Sequence, residues 1–455
     1  MPVLESLRRE ELIALILEQQ QQIDQLRAEL EEWKRGGRRP NRRRRRVENP
    51  QPPGRKPGQG LFGYRREPEA GRTEGTPVRV PAPGGCPDCG GLLELERVEV
   101  ASLTDLPETP EPVVRVFQVE VRRCRGCGRR VRGRHPELAP DQYGATAHRV
   151  GPRAKAAAHV LHYGLRVPAR KVPAILQELS GVSLSQSAIT QDALKQAEGA
   201  VGEAYQQLRE KVRQAAVVHT DDTGWRVGGE SAQLMAFVSQ PATVFQIRPR
   251  HRNEEVREVI PAEYGGVLVT DRGKSYEAAE LAGIAQQKCL SHLIRNTVEV
   301  VEGKQGRARQ FGQRLKEILQ EALQVWRLHR EGKAPGFRRR VREIEGQLSR
   351  HLRDRVLKDE DNQKLLDGIG WQHDCGRVLR FLHDPKVEPT NNRAERALRG
   401  PVIARKLSHG SKNLRGAQAF TAFASVLETA KTKGLSLLPT LQSLAPGPSP
   451  QGASP

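Results

Sequence analysis

Apolar positions along the first thirty residues recur at steps of four and three. Leu12, Ile16, Ile23, Leu26, Leu30 and Trp33 keep that rhythm, with Gln19 as one polar member. An a/d seam of this kind predicts one amphipathic helix over 4–34, long enough for a coiled-coil dimer and equally able to pack on its own chain. The rhythm stops at Lys34. Residues 35–80 are rich in Arg, Pro and Gly, and proline with like-charge repulsion predicts a disordered basic linker. Further on, LLELERVEV and VVRVFQVEVRR alternate apolar and polar residues, which predicts antiparallel strands in a small module over 81–135. Helical spacing returns over 145–210. There KVPAILQELSGVSLSQSAITQDALKQA reads as a helix, a turn at Gly181 and a second helix capped near Ser185. Helix-turn-helix DNA-binding modules and ordinary helical hairpins share that spacing.

From residue 212 the period shortens to two. The strings QAAVVHTD, AQLMAFVS and ATVFQIRPR predict three strands, divided by Gly228-Gly229 and Gln240-Pro241. A helix-like NEEVREVI, the apolar run GGVLVTD, a helix SYEAAELAG and a strand near QQKCLSH follow. Three antiparallel strands, then helix, strand, helix and strand, is the ribonuclease H-like order, in which the first and fourth strands lie side by side. The expected fold class is therefore multidomain α/β. A ribonuclease H-like catalytic core spans 212–440, with a helical insertion at about 297–388 where sequences such as QRLKEILQEALQVWRLHREG are charged helix. A zinc ribbon, the N-terminal coiled-coil helix and a disordered tail over 441–455 complete the organisation.

Composition narrows the partner. At 455 residues the chain exceeds one compact core and requires roughly two to four domains. The 75 Lys and Arg against 54 Asp and Glu leave a net charge of +21, more than solubility needs. The pI is near 10.1. A polyanionic partner, nucleic acid, is the expected reason. Arg42, Arg43, Arg44, Arg45 and Arg46 in the linker are placed to grip phosphates without reading sequence. No apolar run approaches the roughly 20 residues of a membrane span, and the N-terminus lacks a signal-peptide core. Six cysteines are too few for a disulfide scaffold in so long a chain. The expected location is a reducing cytoplasm, in association with the nucleoid.

Two sets of residues carry chemistry. Cys86-Pro-Asp-Cys89-Gly-Gly and Cys124-Arg-Gly-Cys127-Gly are C-x-x-C knuckles whose glycines permit the tight turn that aims amides at sulfur. Four thiolates suit one structural Zn²⁺ and leave no open position, whereas a redox dithiol would need a single pair. Arg123 and Arg125 beside the second knuckle suggest a DNA-facing module. The second set is acidic. Asp221 in VVHTDDTGW and Asp271 in GVLVTDRG close β-like runs, and Glu395 in PTNNRAERALR opens a basic helix. Converging carboxylates suit Mg²⁺, with Mn²⁺ as a substitute, and two such ions roughly 3.5–4 Å apart serve phosphodiester chemistry. Alternation along a strand points Asp222 away if Asp221 faces the site. Structural roles compete: Asp271 could cap its turn, and Glu395 could close a capping box with Asn392 as N-cap. Arg393, Arg396, Arg399, Arg405 and Lys406 follow the glutamate, either holding the DNA backbone or forming a solvated basic face.

The ordered set of motifs resembles the transposases of the insertion sequence 66 family over nearly the whole chain. The zipper-like helix, CPDCGG…CRGCGRR, LSQSAITQ, HTDDTGW, VTDRGKSY, CLSHLIR and NNRAERALRGPVIARK carry the resemblance. It implies a DDE-type transposase that cleaves the terminal inverted repeats of its own element and joins them to target DNA. A homodimer or higher multimer on DNA, and accessory proteins of the same element, are the implied partners. Asp221, Asp271 and Glu395 match the family's metal-binding triad. Cys289 and His292 match its C-x-x-H signature, for which support of the active site is expected rather than metal binding. Asp222 stands where the family usually has glutamate, a conservative departure. Two other readings fit part of the pattern: a non-catalytic zinc-ribbon DNA-binding regulator, and a ribonuclease H-like nuclease that joins nothing.

Overall fold

The computed structural model describes residue 20, residues 79–135 apart from 82, 84, 96, 99–110 and 134, and residues 150–444. The coiled-coil helix expected over 4–34 and the linker with its five consecutive arginines lie outside the described residues, save residue 20 and the linker's last two. The chain divides into two units, Met1–Leu106 and Pro107–Pro455.

Each unit holds one knuckle. In the first, the Cys86 amide donates to Gly91 O (2.9 Å) and the Gly90 amide to Cys86 O (2.8 Å). Gly90 takes the left-handed φ of 74° that this turn requires. In the second, the Cys124 amide donates to Arg129 O (2.8 Å) and the Gly128 amide to Cys124 O (3.0 Å), with Gly128 at φ 71°. Strand β1 (Val121–Arg123) and strand β2 (Arg130–Arg132) pair antiparallel on either side of it. The longer strands expected on LLELERVEV and VVRVFQVEVRR are not found among the described residues; only 121–123 of those segments is strand. Leu92, Leu95, Val98, Val113 and Val116 are each at least 79% exposed. Alternation builds a strand only where one face is covered, and among the described residues of these segments only Phe117 and Val119 are even half-buried.

The second unit continues with helix α1 (Pro152–His159), which runs into a π turn, Val160–Gly164. Helix α2 (Val172–Ser180) ends on Gly181 at φ 62°. Helix α3 (Gln186–Glu198) starts at Ser185, whose hydroxyl accepts the Ala188 amide at 3.2 Å. Turn and cap thus fall at the two residues expected. Helix α4 (Ala200–Arg213) leads into a five-stranded sheet.

The sheet comprises β3 (Val217–Val227), β4 (Glu230–Ser239), β5 (Thr243–Arg248), β6 (Val267–Thr270) and β7 (Ala285–Lys288), in the order β5-β4-β3-β6-β7. The first three run antiparallel; β6 lies parallel to β3, and β7 parallel to β6. The first and fourth of these strands are therefore neighbours, as the sequence predicts. A short helix α5 (Asn253–Arg257) precedes β6. Burial on both faces follows the two-residue period: Leu268 joins the core under α4, while Val267 and Val269 join the other.

That other core belongs to helices α6 (Leu290–Val301), α7 (Gly306–Arg330), α8 (Phe337–His351) and α9 (Glu360–Asp374). In α7, Phe311, Leu315, Ile318, Leu319, Ala322 and Val325 are buried at steps of three and four, which gives the helix one apolar face. The chain then returns through α10 (Asn392–Ser408), α11 (Leu414–Thr432) and α12 (Leu437–Leu444). Helix α11 seals the sheet edge: Ser425 Oγ accepts the Phe245 amide (2.8 Å) and Thr429 Oγ1 the Thr243 amide (3.0 Å). Helix α12 buries Leu441 and carries regular structure past residue 440, where a disordered tail was expected to start; the rest of that tail lies outside the described residues. Among the described residues no helix is long and apolar enough to cross a membrane.

Two local expectations fail. SYEAAELAG forms 3-10 turns at Lys274–Tyr276 and Ala279–Leu281 instead of a helix. Tyr276 and Leu281 both enter the same core, and an α-helix would set residues five apart about 140° round its axis. Strand β3 also does not stop at the aspartates but runs on to Val227, because Gly228 and Gly229, at φ 61° and 91°, turn it straight into β4.

Candidate active site

The place where β3 loses its parallel partner creates the site. Pairing with β6 ends at His219↔Val269, while pairing with β4 continues to Val227↔Glu230. Beyond His219 that edge of β3 has no strand beside it until the isolated bridge of Val227 to Ser411, and Asp221 sits in the interval. Burial, against one backbone hydrogen bond from Asp222 and with the charge of Asp271, pushes the Asp221 carboxyl up to about 6. Its neighbour Asp222 is occupied elsewhere, with Oδ1 at 2.9 Å from His251 Nδ1.

Asp271 follows the last residue of β6. Its Oδ1 accepts the Gly273 amide at 2.8 Å, so the turn-capping role is real and engages that oxygen. Lys288 lies beneath, fully buried, with Nζ donating to Asp271 O (3.1 Å) and Thr270 Oγ1 (3.2 Å). Burial lowers the Lys288 ammonium to about 8 despite Glu277, whose Oε1 is 4.0 Å away.

Glu395 lies in the first turn of α10. The residue before the helix is Asn391, not Asn392, and no side chain caps this end. The capping-box role is therefore not realised, and the Glu395 carboxylate is left to other work. Asn391 faces across the fold: Nδ2 donates to Thr220 O (2.7 Å), and its amide donates to Cys289 Sγ (3.2 Å). Cys289 and Leu290 complete the stitching, with amides donating to Thr270 O (2.7 Å) and Pro389 O (2.9 Å). Helix α10 is thus pinned to β3 and to the start of α6.

Cys289 and His292 lie beside the glutamate. Burial alone would raise the Cys289 thiol, but hydrogen bonding with His292 and from the Asn391 amide outweighs it and holds the thiol below its usual value. The same bond to Cys289 raises the His292 imidazole against its burial. Cys289, His292 and Glu395 each bring one potential ligand atom within 4.8 Å of the others. Asp221, Asp271 and Glu395 are not drawn together that closely, although Asp221 feels the charges of both Asp271 and His292.

A model of the Transposase IS66 family matches residues 148–419. This chain belongs to that family. It is also 25% identical over 248 residues to the uncharacterized protein y4jD of Sinorhizobium fredii. That match takes in 50% of this chain and 44% of the relative, so the chain spans less than half of that protein's length.

The basic residues of this IS66-family chain divide into two kinds. Arg396, Arg399 and Lys406 on α10 are exposed, as are Arg123 and Arg125 at the second knuckle. Arg393 is committed to Glu388 (2.9 and 2.7 Å). Arg405 is tied to Thr223 Oγ1 (3.0 Å) and to Gly224 O. Three residues of the site are marked by no local pattern in the sequence. Asn391 looks like part of a helix start, Lys288 like any lysine in a strand, and His251 like a loop residue. Their roles depend on partners far away in sequence.

Proposed function

We propose that this chain is a DDE-type DNA transposase with a ribonuclease H-like core, in which Asp221, Asp271 and Glu395 hold the catalytic metal. The observation that carries the reading is the arrangement of three elements: Asp221 on β3, Asp271 at the end of the adjoining β6, and Glu395 opening a helix pinned to β3 through Asn391. The strand order and the family membership support the same reading.

The residues present fit Mg²⁺. The donors are all carboxylate oxygens, which a hard cation prefers, and Asp221, pushed up to about 6 by burial and Asp271, is a group whose ionised form a cation would stabilise. When bound, two such ions would activate water and stabilise the leaving oxygen of a phosphodiester. The Asn391 bond and the buried Lys288 keep Glu395 and Asp271 in place, so that positioning is prepared before DNA arrives. Hydrolysis breaks the bond between phosphorus and the 3′ oxygen at the element's end and frees a 3′-hydroxyl. That hydroxyl then attacks a target phosphodiester, forming a new P–O bond as the target's own 3′ oxygen departs. No side chain becomes bonded to DNA.

We assign Cys86, Cys89, Cys124 and Cys127 to one structural Zn²⁺. In each knuckle the turn amides hydrogen-bond to the first sulfur, and they hold Cys86 and Cys124 below the usual thiol value. The knuckles, the α2–α3 pair and the exposed arginines are then the DNA-contacting parts, acting on terminal inverted repeats and target DNA within a homodimer or larger multimer. Accessory proteins of the element are further partners.

The test is Mg²⁺-dependent cleavage of DNA carrying the gene's own flanks, comparing wild type with Glu395→Gln. Cleavage at discrete flank positions by wild type alone is expected, followed by joining to a second DNA. Specific binding without cleavage would favour the regulator, and cleavage without joining the nuclease.

A further inference from the structure

We propose that Cys289, His292 and Glu395 form a second cation site, for a thiophilic divalent ion such as Zn²⁺, and that filling it withdraws Glu395 from the Mg²⁺ carboxylates. The inhibitory consequence rests on the reading of Glu395 as a Mg²⁺ ligand; the ion site itself does not.

Among the described residues this is the one group of three or more side chains whose potential ligand atoms lie within 4.8 Å of each other. Its members come from two elements fixed independently of any ion. Cys289 precedes α6 and His292 lies in that helix's first turn, and residues three apart share a helix face. Glu395 is brought to them by α10, held through Asn391. His292 Nδ1 is buried without a hydrogen-bond partner, although it stands only 3.9 Å from Glu395 Oε1. A buried ring nitrogen 3.9 Å from a carboxylate oxygen, with no hydrogen bond between the two, is a group that a shared cation would satisfy.

The donor set selects the ion. A sulfur, an imidazole nitrogen and one carboxylate suit Zn²⁺ and are poor ligands for Mg²⁺. Zinc–ligand lengths of about 2.0–2.3 Å place tetrahedral ligands about 3.3–3.7 Å apart, so the three side chains need close only slightly. Three protein ligands leave a fourth position for water or a DNA phosphate oxygen. On this proposal a Glu395 oxygen taken up by this ion is lost to the Mg²⁺ pair, so the two occupancies compete. The family signature C-x-x-H then acts as a brake set beside the catalytic glutamate.

Metal-stripped full-length protein titrated with Co²⁺, a coloured stand-in for Zn²⁺, tests the site. Wild type should take up one equivalent more than Cys289→Ala or His292→Gln, with a thiolate-to-cobalt charge-transfer increment, beyond that of the four knuckle thiolates, that both variants lose. Outer-shell partners alone are worth roughly 10–100-fold in metal affinity, so Glu395→Gln should weaken that equivalent by at least as much. Should Cys289→Ala fail to fold, the half-buried His292 carries the test alone. Equal uptake by wild type and a folded His292→Gln overturns the site. Added Zn²⁺ at fixed Mg²⁺ should stop cleavage of the flank DNA, and a zinc-selective chelator should restore it. An extra equivalent that leaves cleavage untouched overturns the brake and the catalytic placement of Glu395, with the ion site standing. No extra equivalent, with cleavage still dependent on Glu395, overturns the site and leaves the transposase reading intact.

Discussion

The Asn391 side chain donates to the Thr220 carbonyl across 2.7 Å, joining residues 171 apart in sequence. Both residues are fully buried, and each stands next to the site: Thr220 before Asp221, Asn391 before the Glu395 helix. Asn391→Ala leaves a buried carbonyl without its donor, which costs about 1–3 kcal/mol in urea unfolding. Glu395 loses its registration against β3, so cleavage should fall more steeply than DNA binding. A folded variant that cuts at the wild-type rate would disprove the coupling.

On the proposed reading, Asp221 should show the cost of a site built for a cation. Its carboxyl titrates at about 6 in the fold against 3.8 in the free side chain. The native chain therefore holds an extra proton between those values and loses stability as pH rises through them. In metal-free protein Asp221→Asn should gain about 2–3 kcal/mol at about pH 7 and nothing below about pH 4, read by thermal melts in chelator. The same variant should lose Mg²⁺-dependent cleavage. Asp222→Asn, which gives up only the 2.9 Å contact to His251, should keep most of it.

The difference between those two aspartates was partly legible. Alternation along a strand separates Asp221 from Asp222, and the order of strands places Asp221 beside Asp271, since both follow from period and topology. The sequence could not show that β3 continues past the acids, because that depends on a hairpin whose glycines read only as a break. Nor could it show the 3-10 turns at Tyr276 and Leu281, which are set by the core they enter. The alternating segments around the knuckles misled for the opposite reason: their pattern is local, and most of their apolar side chains are exposed among the described residues. Asn391 and Lys288 are invisible to any local pattern, since each acts through a partner on another element.

Lys288 offers a pH signature of the opposite kind. Its ammonium is lowered by burial to about 8 from 10.5, so the unfolded chain binds the extra proton between those values. Stability should rise as pH climbs from about 8 towards 10.5, by up to about 3 kcal/mol. Lys288→Met, close in volume, should flatten that rise in denaturant midpoints measured across the range. An unchanged slope would mean that the ammonium reaches water by some path.

Zinc removal should act on the knuckles. Cys86→Ser and Cys124→Ser should each release the structural ion, detected with a colorimetric chelator, because each removes one of the four thiolates and small modules fold with their metal. Specific binding to the element's ends should drop in both. If either variant binds the ends as wild type does, another part of the chain reads them.

The path of the chain between Lys288 and Asn391 also sets an order of arrival. During synthesis both aspartates leave the ribosome and can enter the sheet well before α6 to α9 have followed and α10 can dock. On the proposed reading, a message cut short by a frameshift or a stop codon in that stretch yields a protein that keeps its DNA-gripping segments yet lacks the third carboxylate. Such a fragment would sit on the ends of the element without cutting them. Decayed copies of the gene would then restrain intact ones in the same cell.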